Sequence, residues 1–466
     1  MSTHIVVVGD AFLDVDIEGR ATRLCPDGPV PVVEESRSVS RPGGAGLAAS
    51  IAAHHGCRTT LLYARADDDA GRALEAALAA HGVSTVGIGP ARGTSEKIRV
   101  RAGGQTLLRI DRDRDRSRID DTPLADGAAS VLTSADAVLV SDYGRGVTDH
   151  PHVRQLVARV ASRRPVVWDP HPRGAAPVAG CWAVTPNRSE AFTLVGLTPS
   201  RSLRDTRRCA AELQAHWHSR AVVVTLDRDG ALLETGLGPP LAVPVGRPEA
   251  GDACGAGDAF AVALTRAFAA HHVTSEAVVA AVEAAARFVG GGGVAALRVE
   301  GRQFSLSETP SPAESSAADL APDATGRVVA AGGCFDVLHI GHVQLLEHAR
   351  RLGDRLVVLL NSDESVRALK GPPRPIVPAQ ERAGVLRALG CVDEVRIFEE
   401  RTTDVALRRV RPDVFVKGGD YGHGPIAEQA ILDEWGGQAV VVPYVAGRST
   451  THLLQEARHH DRDPTG

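Results

Sequence analysis

Short apolar runs, each stopped by a polar residue and separated by helix-length segments, recur along most of this chain. His4–Gly9 ends at Asp10, with Asp14 four residues on, and Ala137–Ser141 ends at Asp142-Tyr143. Pro165–Trp168 ends at Asp169-Pro170, Trp182–Thr185 at Pro186-Asn187, and Ala221–Thr225 at Leu226-Asp227. Runs this short and this uniformly apolar fit strands of a parallel sheet covered on both faces. The helical stretches between them supply βαβ crossovers, which predicts an α/β, doubly wound sheet. In such a sheet ligands gather at the carboxyl ends of the strands. Turn chemistry explains any one of Asp142, Asp169, Asn187 and Thr225, and explains the succession less well. Two passages break the rhythm. Asp16 to Val39 is irregular and Pro-rich, and Glu96 to Asp111 alternates Ile98, Val100, Leu107 and Ile110, so a small β flap beside the sheet is expected.

The strand rhythm returns near the carboxyl end. Val328–Ala330, Arg355–Leu360 (stopped by Asn361-Ser362-Asp363), Val395–Phe398, Val414–Val416 and Ala439–Val442 read as strands, with a helix over Pro378–Leu389. Ser305–Thr325 is rich in Ser, Ala, Pro and Asp with almost no large apolar residue, and reads as a flexible linker. The 466 residues therefore divide into a domain over 1–304, a linker over 305–325 and a domain over 326–466.

Bulk properties exclude several classes. A formal net charge of -5 leaves no basic excess for nucleic acid. Seven scattered cysteines, an odd number without a C-x-x-C pair, argue against a disulfide framework or zinc site and fit a reducing cytoplasm. No leader-like segment or long apolar span is present, so no membrane association is expected. The sign-alternating run from Asp111 to Arg116 reads as a solvated face. Among the 52 basic residues only Lys97, Lys370 and Lys417 are lysine. A lysine that persists against such an arginine bias marks places where a compact ammonium is needed, and Lys370 and Lys417, each before a glycine, are candidate phosphate contacts.

Two stretches carry chemistry. In Gly251-Asp252-Ala253-Cys254-Gly255-Ala256-Gly257-Asp258, the residues Gly255, Ala256 and Gly257 at a helix start present consecutive N–H groups to an anion. Asp258 in the first helical turn can take a proton from a hydroxyl. No G-K-[ST] follows, so this is not a Walker loop. In Gly332-Gly333-Cys334-Phe335-Asp336-Val337-Leu338-His339-Ile340-Gly341-His342, a strand passes through a glycine turn into a helix. His339 and His342, three residues apart, share a face of its first turn, and Gly341 lets a ligand approach the backbone. The helix dipole adds a seat for phosphate oxygens.

The first stretch resembles the ribokinase-like (PfkB) sugar kinases, through Gly255-Ala256-Gly257-Asp258 and Gly43-Gly44. That likeness runs from about His4 to Val299 and implies a doubly wound sheet with a small β lid. It implies Asp258 as catalytic base, 255–257 as anion hole, and Asp14, Gly43 and Gly44 as sugar contacts, with Lys97 and Arg109 on the flap as further substrate contacts. Asn187 and Glu190 would hold magnesium through water, Thr225 and Gly230 would line the ATP site, and two copies would pair through the lid. The second stretch resembles the H-x-G-H nucleotidyltransferases, the cytidylyl- and adenylyltransferases, which implies a Rossmann-like domain. His339, His342 and Lys370 would be catalytic there. Gly333, Phe335, Asp336, Gly341, Asn361, Asp363, Lys417, Gly418, Asp420, Ser449, Thr450 and Thr451 would meet ATP.

Taken together the halves resemble the bifunctional enzymes that phosphorylate D-glycero-β-D-manno-heptose 7-phosphate and adenylylate heptose 1-phosphate. The substrates expected are ATP with Mg2+ and sugar phosphates. Some positions depart from the pattern: Leu47 replaces an asparagine, Cys254 a threonine, and Arg145 and His171 or Arg173 replace lysines. An apolar Leu47 cannot hydrogen-bond a sugar hydroxyl. Three readings therefore stay open: the heptose enzyme, the same architecture with another sugar or with CTP, and an idle first domain that serves as a scaffold.

Overall fold

The computed structural model describes residues 2–103, 105–112, 124, 127–246, 251–297, 326–418 and 426–443. The expected linker and the candidate residues Asp420, Ser449, Thr450 and Thr451 lie outside them. The chain forms two compact units. One comprises Met1–Thr198, Glu212–Thr225 and Gly246–Ala318, the other Pro199–Ala211, Leu226–Val245 and Asp319–Gly466.

The first unit contains β1 (His4–Gly9), β2 (Ala11–Leu24), β3 (Pro31–Gly44), β4 (Arg58–Arg65), β5 (Val83–Pro90), β6 (Glu96–Ala102), β7 (Gln105–Arg112), β8 (Ala137–Ser141), β9 (Val166–Asp169), β10 (Ala183–Val184) and β11 (Val222–Thr225). Seven of them lie in the order β11-β10-β9-β8-β1-β4-β5, every pair parallel. β1 and β8 are buried throughout, as their unbroken apolar sequences require of strands covered on both faces. The remaining four form a separate sheet, β3-β2-β6-β7, which is the expected flap. Its first half differs from expectation. Asp16 to Val39 is a hairpin: all but the turn over residues 25–30 lies in two 14-residue antiparallel strands. Their outer halves are exposed, so no apolar alternation marked them, and two register shifts break the ladder.

The second unit contains β12 (Ala231–Glu234), β13 (Leu241–Val243), β14 (Val328–Gly333), β15 (Arg355–Asn361), β16 (Glu394–Phe398), β17 (Val414–Gly418) and β18 (Gln438–Val442). The order β16-β15-β14-β17-β18 is parallel and reverses direction between β14 and β17. That is a topological switch point, where α/β sheets bind ligands. β13 extends the sheet, parallel to β18 through Leu241 and Val441 and antiparallel to β12. Among the described residues no helix is long and apolar enough to cross a membrane.

Candidate active sites

In the first unit, the helix Ala256–Ala269 packs against β8 and β9 and begins at Gly255, whose φ is 80°. Glycine takes that left-handed geometry without the penalty a Cβ imposes. A Cβ there would also stand 3.0 Å from Val294 Cγ2 and 3.1 Å from Leu47 Cδ2. Leu47 is buried and its side chain packs against this turn. A Cβ on Gly257 would meet nothing within 4 Å. The Ala256 amide donates to Ala253 O at 3.0 Å, and Gly255 and Gly257 flank it at the positive end of the helix.

Asp258 is 6% exposed. Its carboxylate accepts the Tyr143 phenol at 3.0 and 3.1 Å. Burial pushes its pKa up to about 7, against the downward pull of the Tyr143 hydrogen bond and the Lys97 charge. Asp14 accepts from Arg99 at 3.0 Å, and a Cβ on Gly43 would stand 2.7 Å from Asp14 Oδ2. Gly44 follows with φ 60°. Lys97 Nζ sits 3.9 Å from the Phe12 ring centre and 5.5 Å from that of Tyr143. Burial lowers its pKa, with Asp14 opposing. Asp14, Gly43 and Lys97 are therefore gathered around Asp258. Arg109 lies on the exposed strand β7, in register with Arg99 of β6, its guanidinium forked onto Asp111 with both contacts at 2.8 Å and its charge among those that lower the Lys97 pKa.

Asn187 and Glu190 form a reciprocal capping box on the helix Arg188–Leu194. The Glu190 amide donates to Asn187 Oδ1 at 2.9 Å, and the Asn187 amide donates to Glu190 Oε2 at 2.8 Å. Burial raises the pKa of Glu190. That of Asp169 is raised well above its ordinary value, by burial first and then by Glu190 and Asp258. Among the described residues no group of three or more His, Cys, Asp or Glu is placed to hold a metal ion directly, so a cation beside Asn187 and Glu190 would be held through water. Thr225 bridges to Asn187, its amide donating to Pro186 O at 3.0 Å. Gly230 belongs to the second unit, where φ is 101° and a Cβ would strike Val243 O.

Two strand-end carboxylates read as ligand-facing are instead anchors. Asp10 accepts the amides of Tyr143, Arg145 and Val147 at 3.0, 2.9 and 3.1 Å. Asp142 accepts from Gly144 N at 2.7 Å, Thr148 Oγ1 at 2.8 Å and Ala175 N at 3.0 Å. Together they fix the loop after β8. Sequence spacing cannot distinguish a carboxylate that binds amides from one that meets a ligand.

In the second unit, β14 runs into a strained turn. Phe335 and Val337 have φ of 44° and 62°, uncommon for a side chain with a Cβ and most costly for β-branched Val337. Asp336 between them is buried, and accepts from Arg374 Nη1 at 2.6 Å, Ile376 N at 2.9 Å and Val377 N at 3.2 Å. Its carboxylate clamps the 374–377 loop and so holds the turn's shape. Arg382, 3% exposed, ties the same region together. It donates to Cys334 O at 2.5 Å, Asn361 O at 3.0 Å, Val377 O at 2.8 Å and Asp363 Oδ1 at 2.7 Å. The sequence reading gave Arg382 no role, although an arginine beside Ala383, Val385 and Leu386 was its visible signal. Asp336→Ala should leave the Arg374 charge uncompensated and cost about 3–5 kcal/mol. The readout is a lowered unfolding midpoint of the full chain, and an unchanged midpoint would refute the clamp.

The turn delivers His339 to the N-cap of the helix Ile340–Arg351 and His342 to its first turn. Their rings stack with centres 3.8 Å apart, and Phe335 packs 5.2 Å from His342. His342 Nδ1 accepts the His339 amide at 3.4 Å, which leaves the ring proton on Nε2 as a donor. Burial, His339 and Lys370 lower the His342 pKa to about 4. Gly333 and Gly418 close the ends of β14 and β17 beside this helix start, which includes Gly341. Asn361 bonds Ser365 Oγ at 2.9 Å, and Lys417 Nζ pairs with Glu428 at 2.7 Å. His339, His342 and Lys370 are thus brought together, while Asn361, Asp363 and Lys417 are held by protein partners.

Comparisons with known proteins bear on both units. A model of the pfkB family carbohydrate kinases matches residues 2–299, and one described as cytidylyltransferase-like matches 330–446. The "Bifunctional protein HldE" of Streptomyces coelicolor is 48% identical, over 98% of this chain and 96% of its own. The protein of that name from Magnetococcus marinus is 36% identical, over 97% and 96%. Arabidopsis thaliana ribokinase, solved with ribose and ATP, superposes with a TM-score of 0.51 at 19% identity over 64% of this chain and 96% of its own, a likeness of fold. With a carbohydrate-kinase segment ahead of a cytidylyltransferase-like one, and relatives that match it nearly end to end, the chain belongs to the HldE family of bifunctional kinase–nucleotidyltransferases.

Proposed function

We propose that the first unit transfers the γ-phosphoryl group of ATP to O1 of D-glycero-β-D-manno-heptose 7-phosphate. The second unit then joins AMP from ATP to heptose 1-phosphate, giving ADP-heptose and pyrophosphate. The observation that supports this best is a pair of separate anion seats. One is a buried carboxylate in the first turn of a glycine-capped helix, the other two stacked imidazoles at a sheet switch point, within a chain matched nearly end to end by HldE proteins.

In the first step Asp258 takes the O1 proton as that oxygen attacks the γ-phosphorus and ADP leaves, and the positive helix start at 255–257 stabilises the charge on the transferring group. Asp14, Gly43, Gly44 and Lys97 orient the sugar. Asn187 and Glu190 would hold Mg2+ through water, with Asp169 behind them. Bound there, the ion neutralises phosphate charge. In the second step the sugar 1-phosphate attacks the α-phosphorus and pyrophosphate leaves. His339 and His342 donate to the phosphate oxygens, and Lys370 adds a positive charge. The 7-phosphate must be removed between the steps by a phosphatase. The cytoplasm, which holds the ATP pool, is the proposed compartment. A homodimer through the flap is proposed on the exposure of Leu107, Leu108 and Ile110 along β7.

Incubation of the full chain with ATP, Mg2+, heptose 7-phosphate and a heptose-bisphosphate phosphatase should yield ADP-heptose. A nucleotide sugar formed only with CTP, or no sugar phosphorylation, would overturn the assignment. Light scattering on the same preparation should give the mass of two chains, and a single-chain mass would remove the dimer.

A further inference from the structure

The loop after β8 carries a side chain that neither motif includes. Tyr143 is reached by an over-determined backbone: its own amide and those of Arg145 and Val147 are held by Asp10, and Asp142 holds Gly144, Thr148 and Ala175. Its ring stands edge-on to Phe12, centres 5.4 Å apart at 80°. Lys97 Nζ stands 3.9 Å from the Phe12 ring centre and Arg145 Cζ 5.1 Å from it. The phenol, fixed from behind in this way, reaches across to the opposite wall and donates to both oxygens of Asp258.

We propose that Tyr143 is a positioning residue for the kinase base: its phenol fixes the plane of the Asp258 carboxylate and stabilises its charged form, so that a free lone pair meets the sugar hydroxyl. This rests on the kinase assignment above. Burial, and next the Asp258 charge, hold the Tyr143 pKa well above its ordinary value, so the phenol stays a donor throughout the working range. A hydrogen bond to a carboxylate's charged form favours ionisation. The other groups around the pair are Lys97 from β6, Asp14 from β2, Asp169 at the end of β9 and Cys254 before the helix. Of these Lys97 favours the ionised carboxylate and Asp14 opposes it, while the Asp258 charge raises the pKa of Asp169.

Tyr143→Phe keeps the ring, its Phe12 contact and the loop anchors while deleting only the hydroxyl. The expected kinase kcat falls about 10–100-fold with KM for ATP unchanged, and the acidic limb of the kinase profile moves up by about one pH unit. The transferase rate of the same full chain should stay at wild type, which reports an intact preparation. Independently of any sugar, the Asp258 carboxyl followed by 13C NMR should titrate higher in Tyr143→Phe than in wild type. A kcat at wild type, a kcat loss without movement of the limb, or an unmoved NMR titration overturns the proposal. Absence of wild-type turnover on heptose 7-phosphate with the NMR shift present would sink the substrate assignment alone.

Discussion

His342→Ala removes pyrophosphate release from ATP and heptose 1-phosphate, by about 10³-fold or more, and leaves heptose 7-phosphate phosphorylation at its wild-type rate. The size follows from what the imidazole does. With Nδ1 committed to the His339 amide, Nε2–H is a preset donor in a half-buried seat, and such a donor needs no reorganisation as charge builds on the phosphate. The stack with His339 means that neither ring can turn aside without disturbing the other. His342→Asn, which keeps a donor, should retain more activity than His342→Ala. Because burial and the neighbouring His339 and Lys370 lower the His342 pKa to about 4, the ring stays neutral well below the ordinary histidine range. The transferase profile should therefore lack an inflection near 6.5 from this group. Near-normal pyrophosphate release by His342→Ala would remove the assignment.

Asp258→Asn should lower kinase turnover by about 10²–10⁴-fold and leave the transferase untouched. The amide is isosteric and can still bond Tyr143, so the fold and the anchored loop are retained; only the proton acceptor is lost. The pH sign is fixed by the same reasoning. A base works when ionised, and burial holds the Asp258 pKa at about 7. Kinase activity should therefore climb as pH rises through about 7 and level off above it. At pH 6 about a tenth of the molecules would carry the charged form. A flat profile from pH 5 to 9, or an Asp258→Asn chain with undiminished ADP formation, would show that another group takes the proton.

Much of this was legible in the chain alone, for identifiable reasons. Strands such as β1 and β15 bury both faces, so their apolar runs cannot be mistaken for amphipathic elements. Gly255 and Gly44 occupy left-handed backbone, which makes glycine itself the signal. What escaped depends on direction rather than residue type. Asp10, Asp142 and Asp336 look like ligand carboxylates in sequence, and each turns out to be filled by amides or a guanidinium. Leu47 gave no sign in sequence that its side chain lies against Gly255. The long hairpin of β2 and β3 was hidden because neither face of its outer half is buried. Arg109 has the charge for a substrate contact, and its engagement with Asp111 two residues on could not be told from spacing alone.

Burial acts in opposite senses on the two seats. It raises the Asp258 carboxyl to about 7, so a falling pH should silence the kinase base first, while it lowers the His342 imidazole to about 4, so that ring should stay neutral well below the same point. In one preparation of the full chain the two activities should therefore part company on acidification, the phosphorylation rate declining before the release of pyrophosphate.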